Sequence, residues 1–66
     1  MNTSVNMSAL YDTIETCTWR LNSFLKQRHA LVAKASWSED DEAYADYLDE
    51  MCEVLTLDIL EAQELL

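Results

Sequence analysis

Residues 35–42, Ala-Ser-Trp-Ser-Glu-Asp-Asp-Glu, divide this 66-residue chain and predict how it folds. Ser36 with Glu39, and Ser38 with Asp41, each match the Ser-x-x-acid pattern of a helix capping box, so a helix should begin close to Ser38. The run of four acids also suits the positive end of a helix dipole. Because the chain contains no Gly and no Pro, this segment is the one place where the pattern predicts a turn between two long helices.

Apolar residues recur at alternating spacings of three and four positions on both sides of this segment. That spacing places the apolar side chains on one face of an amphipathic helix. Ser8 is the expected N-cap of the first helix, and Arg28 interrupts its apolar row. The apolar rows are Leu10, Ile14, Cys17, Leu21, Phe24, Leu31 and Ala35 before the turn, and Ala45, Leu48, Cys52, Leu55, Ile59, Ala62 and Leu66 after it.

We predict an all-α fold in which residues 1–66 form a single antiparallel helical hairpin. Helices are expected over about 8–35 and about 39–66, with a turn over about 36–38 and a lead-in over residues 1–7. A two-helix domain of this size buries too little apolar surface to be more than marginally stable alone. We therefore expect two hairpins to dimerise into a four-helix bundle.

When the chain is folded back on itself, the two apolar rows align in one register, in which opposite charges also meet. A large aromatic residue near the turn then faces a small residue, which suits close packing. The two cysteines fall in one layer, so a disulfide is chemically possible under oxidation. The predicted pairs are Phe24–Ala45, Leu21–Leu48, Cys17–Cys52, Ile14–Leu55 and Leu10–Ile59, with ion pairs Arg28–Asp41 and Arg20–Asp49.

Charge is distributed very unevenly along the chain, whose formal net charge is −9. Of the 13 acids, all but Asp12 and Glu15 lie in residues 39–66, which contain no Lys or Arg. Such a charge opposes direct binding to nucleic acid or to anionic lipid. No apolar run approaches the roughly 20 residues that cross a bilayer, and the N-terminus has no secretory signal pattern. We expect a cytoplasmic protein that binds neither nucleic acid nor a membrane directly.

The sequence offers no recognisable catalytic or metal-binding motif. Cys17 and Cys52 are far apart in sequence, and the single histidine, His29, has no Cys, Asp or Glu four positions away on its helix. Paired carboxylates can act as acid and base only in a partly desolvated pocket, and a hairpin has little room for one. We therefore predict no catalytic residue, no metal, no cofactor and no enzyme activity.

One face of the second helix carries acids spaced by three or four positions, and this row continues into leucines. Three interpretations remain open for the acids: a solvated face, a mimic of nucleic-acid phosphates, or a docking surface for a basic protein. The leucines and an outward-facing tryptophan are candidate apolar anchors, either for self-association or for a foreign partner. The predicted partner-binding residues are Glu42, Asp46, Asp49, Glu50, Glu53, Trp19, Leu57 and Leu60.

These patterns predict a non-enzymatic, acidic, protein-binding regulator or inhibitor that acts as a homodimer. One form of this hypothesis is a nucleic-acid mimic that occupies the basic groove of a nucleic-acid-handling protein. The alternatives are a small chaperone or assembly adaptor that binds a partner helix in an apolar groove, and a structural subunit of a larger assembly. Salt dependence separates the first alternative from the mimic, because apolar docking survives salt.

Overall fold

The computed structural model describes residues 6–66, which form two α-helices packed side by side. Helix α1 spans Met7–Val32 and helix α2 spans Glu39–Glu64. Each has 26 residues and is therefore about 39 Å long at 1.5 Å per residue. The prediction of an all-α helical hairpin is confirmed. Of the predicted lead-in over residues 1–7, residues 1–5 lie outside the described part of the chain, and Met7 is already helical.

Helix α1 begins earlier than the sequence analysis predicted. Its N-cap is Asn6, whose side-chain oxygen accepts a hydrogen bond from the backbone N–H of Ala9 at 3.2 Å. The predicted N-cap, Ser8, lies inside the first turn, so that prediction is wrong. Asn caps helices as well as Ser does, and starting at Asn6 adds two helical residues.

Helix α1 also ends at Val32, before the predicted limit near residue 35. In a continuing helix the carbonyl of Leu31 would accept the N–H four residues on. Here that carbonyl accepts the N–H of Lys34 at 3.0 Å and the indole N–H of Trp37 at 2.7 Å. The Trp37 indole thus gives a second donor to a carbonyl of the last helical turn, and the chain turns over residues 33–38.

Helix α2 begins as predicted. Ser38 is its N-cap, and the hydroxyl of Ser38 accepts the N–H of Asp41 at 3.2 Å. The carboxylate of Asp41 in turn accepts the Ser38 N–H at 3.1 Å, which completes a capping box. The helix ends at Glu64, two residues before the predicted limit.

The helices pack through the predicted apolar rows. Every buried residue belongs to one of those rows, and Leu48 is fully buried. Near the turn, Leu48 forms a cluster with Leu31 and Ala45, against which Phe24 packs. Towards the other end, Leu10 and Ala62 line the same surface concavity, so the helices run antiparallel. The buried residues are Leu31, Ala45, Leu48, Leu55 and Ala62.

Aromatic side chains add contacts beside the predicted layers. Phe24, predicted to face Ala45, packs against the cluster that contains Ala45 and lies edge-on to Tyr47 with ring centroids 6.1 Å apart. Tyr44 stacks on Tyr47 at 6.3 Å and donates a hydrogen bond from its hydroxyl to Gln27. The two tyrosines lie beside the apolar row of α2 rather than in it, and they contact α1 at Phe24 and Gln27.

Candidate protein-binding surface on the second helix

All eight residues predicted to bind a partner are exposed, but they do not form one surface. Asp46, Glu50, Glu53 and Leu57 recur every three or four positions and lie on the side of α2 turned away from the buried Leu48. We call this row the outer face of α2, and among residues 6–66 its three acids have no Lys or Arg within ion-pair distance. Glu42 and Leu60 lie at its edge, on one flank of the helix.

Asp49, which was predicted to bind a partner with these acids, has a cationic partner within the hairpin. Its carboxylate accepts hydrogen bonds from Nε of Arg28 at 2.8 Å and from a terminal guanidinium nitrogen of Arg28 at 3.4 Å. That hydrogen bond raises the pKa of the Arg28 guanidinium, against a smaller opposing effect of desolvation. The guanidinium also lies 5.4 Å from the centre of the Trp37 ring. Asp49 therefore ties α2 to α1, and the predicted Arg20–Asp49 and Arg28–Asp41 pairs are not formed.

Asp41 is the second acid with a cationic partner. Lys34 donates to its carboxylate at 2.7 Å across the turn. The hydrogen bond from Lys34, and then the backbone N–H of Ser38, lower the pKa of Asp41 below its ordinary value. Residues 6–66 contain two ion pairs, Arg28–Asp49 and Lys34–Asp41. The other acids of α2 therefore have no Lys or Arg within ion-pair distance in that part of the chain.

The outer face changes character along the helix. Its N-terminal part presents carboxylates, and one turn beyond Glu53 it continues as Leu57, which is 52% exposed. Leu60, 50% exposed, lies three residues further on and adjoins Leu57 on the helix surface. A partner that follows this face meets about two turns of negative charge and then an apolar end.

Trp19, at 73% the most exposed large apolar residue, lies on a different surface. It borders a shallow groove whose lining residues all belong to α1, so no residue of α2 lies beside it there. Trp19 and the pair Leu57 and Leu60, all predicted as apolar anchors, therefore lie on different helices and on different surfaces of a single hairpin. The groove is lined by Trp19, Asn22, Ser23, Leu25, Lys26 and His29.

Exposed apolar side chains also flank the buried rows of both helices. On α1 they lie on one side of the intramolecular contact, and on α2 they lie on the other side. On each helix they recur with the spacing of three and four, mostly one position away from the buried row. Their most exposed apolar members are Met7, Tyr11, Leu25 and Val32 on α1, and Tyr44, Tyr47, Val54 and Leu65 on α2.

The residues that could carry chemistry are dispersed. Cys17 and Cys52 are free, half-buried thiols, and His29 is exposed. Over residues 6–66, no three His, Cys, Asp or Glu side chains come together as a metal ion would require. Neither of the two described helices combines the length and the apolar character needed to cross a membrane. Comparisons with protein-family models, with curated proteins and with solved structures find no match for this chain.

Proposed function

We propose that this chain is a non-enzymatic protein-binding regulator that recognises a basic partner protein through the outer face of α2. One observation carries the proposal: Asp46, Glu50 and Glu53 form an exposed row with no Lys or Arg within ion-pair distance among residues 6–66. The chain's own cations Arg28 and Lys34 are engaged by Asp49 and Asp41. The negative field of the outer face is therefore available to a cationic surface on another protein.

The regular spacing of the carboxylates is the reason we propose that binding inhibits the partner. A single rigid helix holds these acids in a fixed row, so little side-chain or backbone ordering is needed on binding. A groove that binds nucleic acid is lined by Lys and Arg and accepts a rod of negative charge. The hairpin would occupy such a groove and compete with DNA or RNA for it.

The alternative, a chaperone or assembly adaptor, is favoured by the apolar end of the same face. Leu57 and Leu60 are adjacent and half exposed, as the anchors of a helix-binding surface should be. In that case apolar contact would supply most of the affinity, and the acids would set only the orientation. The structural-subunit hypothesis has no such local feature in its favour.

The experiment compares two charge-neutralised variants of the tagged protein in capture from native lysate. The test variant carries Asp46→Asn, Glu50→Gln and Glu53→Gln on the outer face. The control carries Asp40→Asn, Asp58→Asn and Glu61→Gln, which remove the same charge from other exposed positions of α2. We expect the test variant to lose a basic partner that both the wild-type protein and the control retain.

Equal loss of the partner from both variants would show that only net charge matters. Full retention of the partner by both variants would show that the acids of the outer face do not bind it. A partner kept by the test variant and lost on Leu57→Asp would instead support the adaptor. Competition of the captured partner with DNA or RNA then decides whether the contact is inhibitory.

We also propose that two hairpins associate into a four-helix bundle, as the sequence analysis predicts. Among residues 6–66, Leu48 is the one large side chain that is fully buried, whereas large apolar residues such as Tyr11 and Val32 are more than half exposed. Two helices alone rarely form an independently stable core. A second hairpin would cover the apolar rows that one hairpin leaves open.

A further inference from the structure

Beside the face that packs on α2, α1 carries a row of five exposed and three half-buried residues with the spacing of an antiparallel helix contact, and it shares Ile14 and Leu21 with the buried row. Successive members are separated by four and three positions in strict alternation, the pattern of helices that pack knobs into holes. Arg28 is its only ionised member, and that guanidinium already has Asp49 as counterion. We call these residues the α1 row: Met7, Tyr11, Ile14, Thr18, Leu21, Leu25, Arg28 and Val32.

We propose that a second copy of this chain packs on the α1 row, with the two α1 helices antiparallel and related by a two-fold axis between residues 18 and 21. Ile14 then faces Leu25 of the second copy, and Thr18 faces Leu21. Met7 faces Val32 at either end of the contact. Every member of the row meets another member, as a closed two-fold interface requires.

Two charges beside the α1 row fit this arrangement. Glu15, in the N-terminal half of α1, and Lys26, in the C-terminal half, lie on the same flank of the row. Antiparallel packing brings the N-terminal half of each helix to the C-terminal half of the other. Glu15 comes beside Lys26 of the second copy, and the same pair occurs twice in the dimer. A parallel arrangement would place like charges together.

The row of exposed side chains on α2 that contains Tyr44, Tyr47 and Val54, which we call the α2 row, is the other surface on which a second copy could pack. Its charged members make that packing less favourable. Tyr44, Tyr47 and Val54 are continued in that row by Asp58 and Glu61, both exposed and without a cationic partner among residues 6–66. A second copy on the α2 row would remove these carboxylates from water without compensation. The α1 row avoids that cost and leaves the outer face of α2 pointing away from the dimer contact.

The test measures the dimer dissociation constant by sedimentation for two variants with the same substitution. Leu25→Asp places a charge in the α1 row, and Val54→Asp places one in the α2 row at similar exposure, 48% against 43%. We expect Leu25→Asp to weaken the dimer at least about a hundredfold, and Val54→Asp to change it by less than about threefold. Helicity by circular dichroism checks that both variants fold.

A charge-swap cycle tests the antiparallel register without touching an apolar residue. Glu15→Lys and Lys26→Glu should each weaken the dimer by about three- to tenfold, and the double variant should return to within about twofold of the wild type. A double variant weaker than either single variant overturns the register. So does a pair of single variants that leave the dimer unchanged.

The inference rests on the dimerisation proposed above, and the outcomes separate the two. A wild-type chain that is monomeric at all concentrations overturns both. A dimer that survives Leu25→Asp, or one that Val54→Asp dissociates as strongly, overturns only the assignment to the α1 row. Neither result touches the binding proposed for the outer face of α2.

Discussion

Replacing Leu48 by Ala is expected to be among the most damaging conservative changes in this chain. Leu48 is fully buried and lies in the cluster with Leu31 and Ala45. The substitution deletes three buried carbon groups, worth about 2.4 kcal/mol of transfer free energy at about 0.8 kcal/mol each. The cavity left between two helices adds to this, so the total should fall at about 3 kcal/mol, within the roughly 2–5 kcal/mol measured for such changes.

A loss of this size is large for so small a domain. With an m-value of about 1 kcal/mol per molar urea, the midpoint of unfolding should fall by about 3 M. The melting temperature should fall by roughly 12–24 °C, at 4–8 °C per kcal/mol for a domain of this size. Both are read from helical circular dichroism at one fixed protein concentration, because self-association would make stability depend on concentration.

The matched control is Leu57→Ala, the same substitution on the same helix at a side chain that is 52% exposed. Its effect should stay within about 0.5 kcal/mol, as at most surface positions. If Leu57→Ala destabilised the protein as much as Leu48→Ala did, the packing described for α1 against α2 would be refuted.

Two further predictions concern the turn. Trp37→Phe removes the indole donor to the last turn of α1 but keeps an aromatic ring. It should lower the free energy of unfolding, measured in urea, by about 0.5–1.5 kcal/mol. Trp19→Phe, which removes an exposed indole, should cause no measurable change. Asp41→Asn should destabilise the protein at neutral pH. Because the folded-state pKa of Asp41 is lowered, its ionised form stabilises the fold above the ordinary pKa of 3.8, and this contribution is lost as the pH falls through the lowered value. The stability difference between the wild type and Asp41→Asn should therefore shrink towards zero in acid, and a difference independent of pH would show that the Lys34 and Ser38 contacts do not act through the charge.

The hairpin was predictable because its signals are local. The Ser38 capping box and the spacing of three and four determine where α2 begins and which side of each helix is buried. The end of α1 was not predictable in the same way. It depends on the Trp37 indole reaching back to a backbone carbonyl six residues earlier, a contact that no pattern of spacing reveals.

The partners of Arg28 and Asp49 were mispredicted for a related reason. Apolar rows that repeat along both helices do not determine which charged side chains beside them come within reach of one another. In the structure Tyr44 and Tyr47 lie beside the buried row and contact Gln27 and Phe24. The long Arg28 side chain reaches Asp49 rather than the predicted Asp41.

The exposure of the predicted binding residues was easier to anticipate than their grouping. Their three- and four-residue spacing correctly indicated solvent-facing sides of the two helices. It could not show that Trp19 borders a groove formed by α1 alone. Nor could the sequence identify the protein that binds the acids of α2, because the spacing of those acids does not encode the identity of a partner.

The measurement that tests the central proposal most directly is capture of the tagged protein's partners from native lysate at about 0.1 M and then about 0.5 M salt, where exposed charge contacts are strongly screened. A basic protein retained by the wild type at low salt, released at high salt, and absent with the variant lacking the Asp46, Glu50 and Glu53 charges is the predicted result. A partner that the wild type and this variant retain equally at both salt concentrations would contradict it.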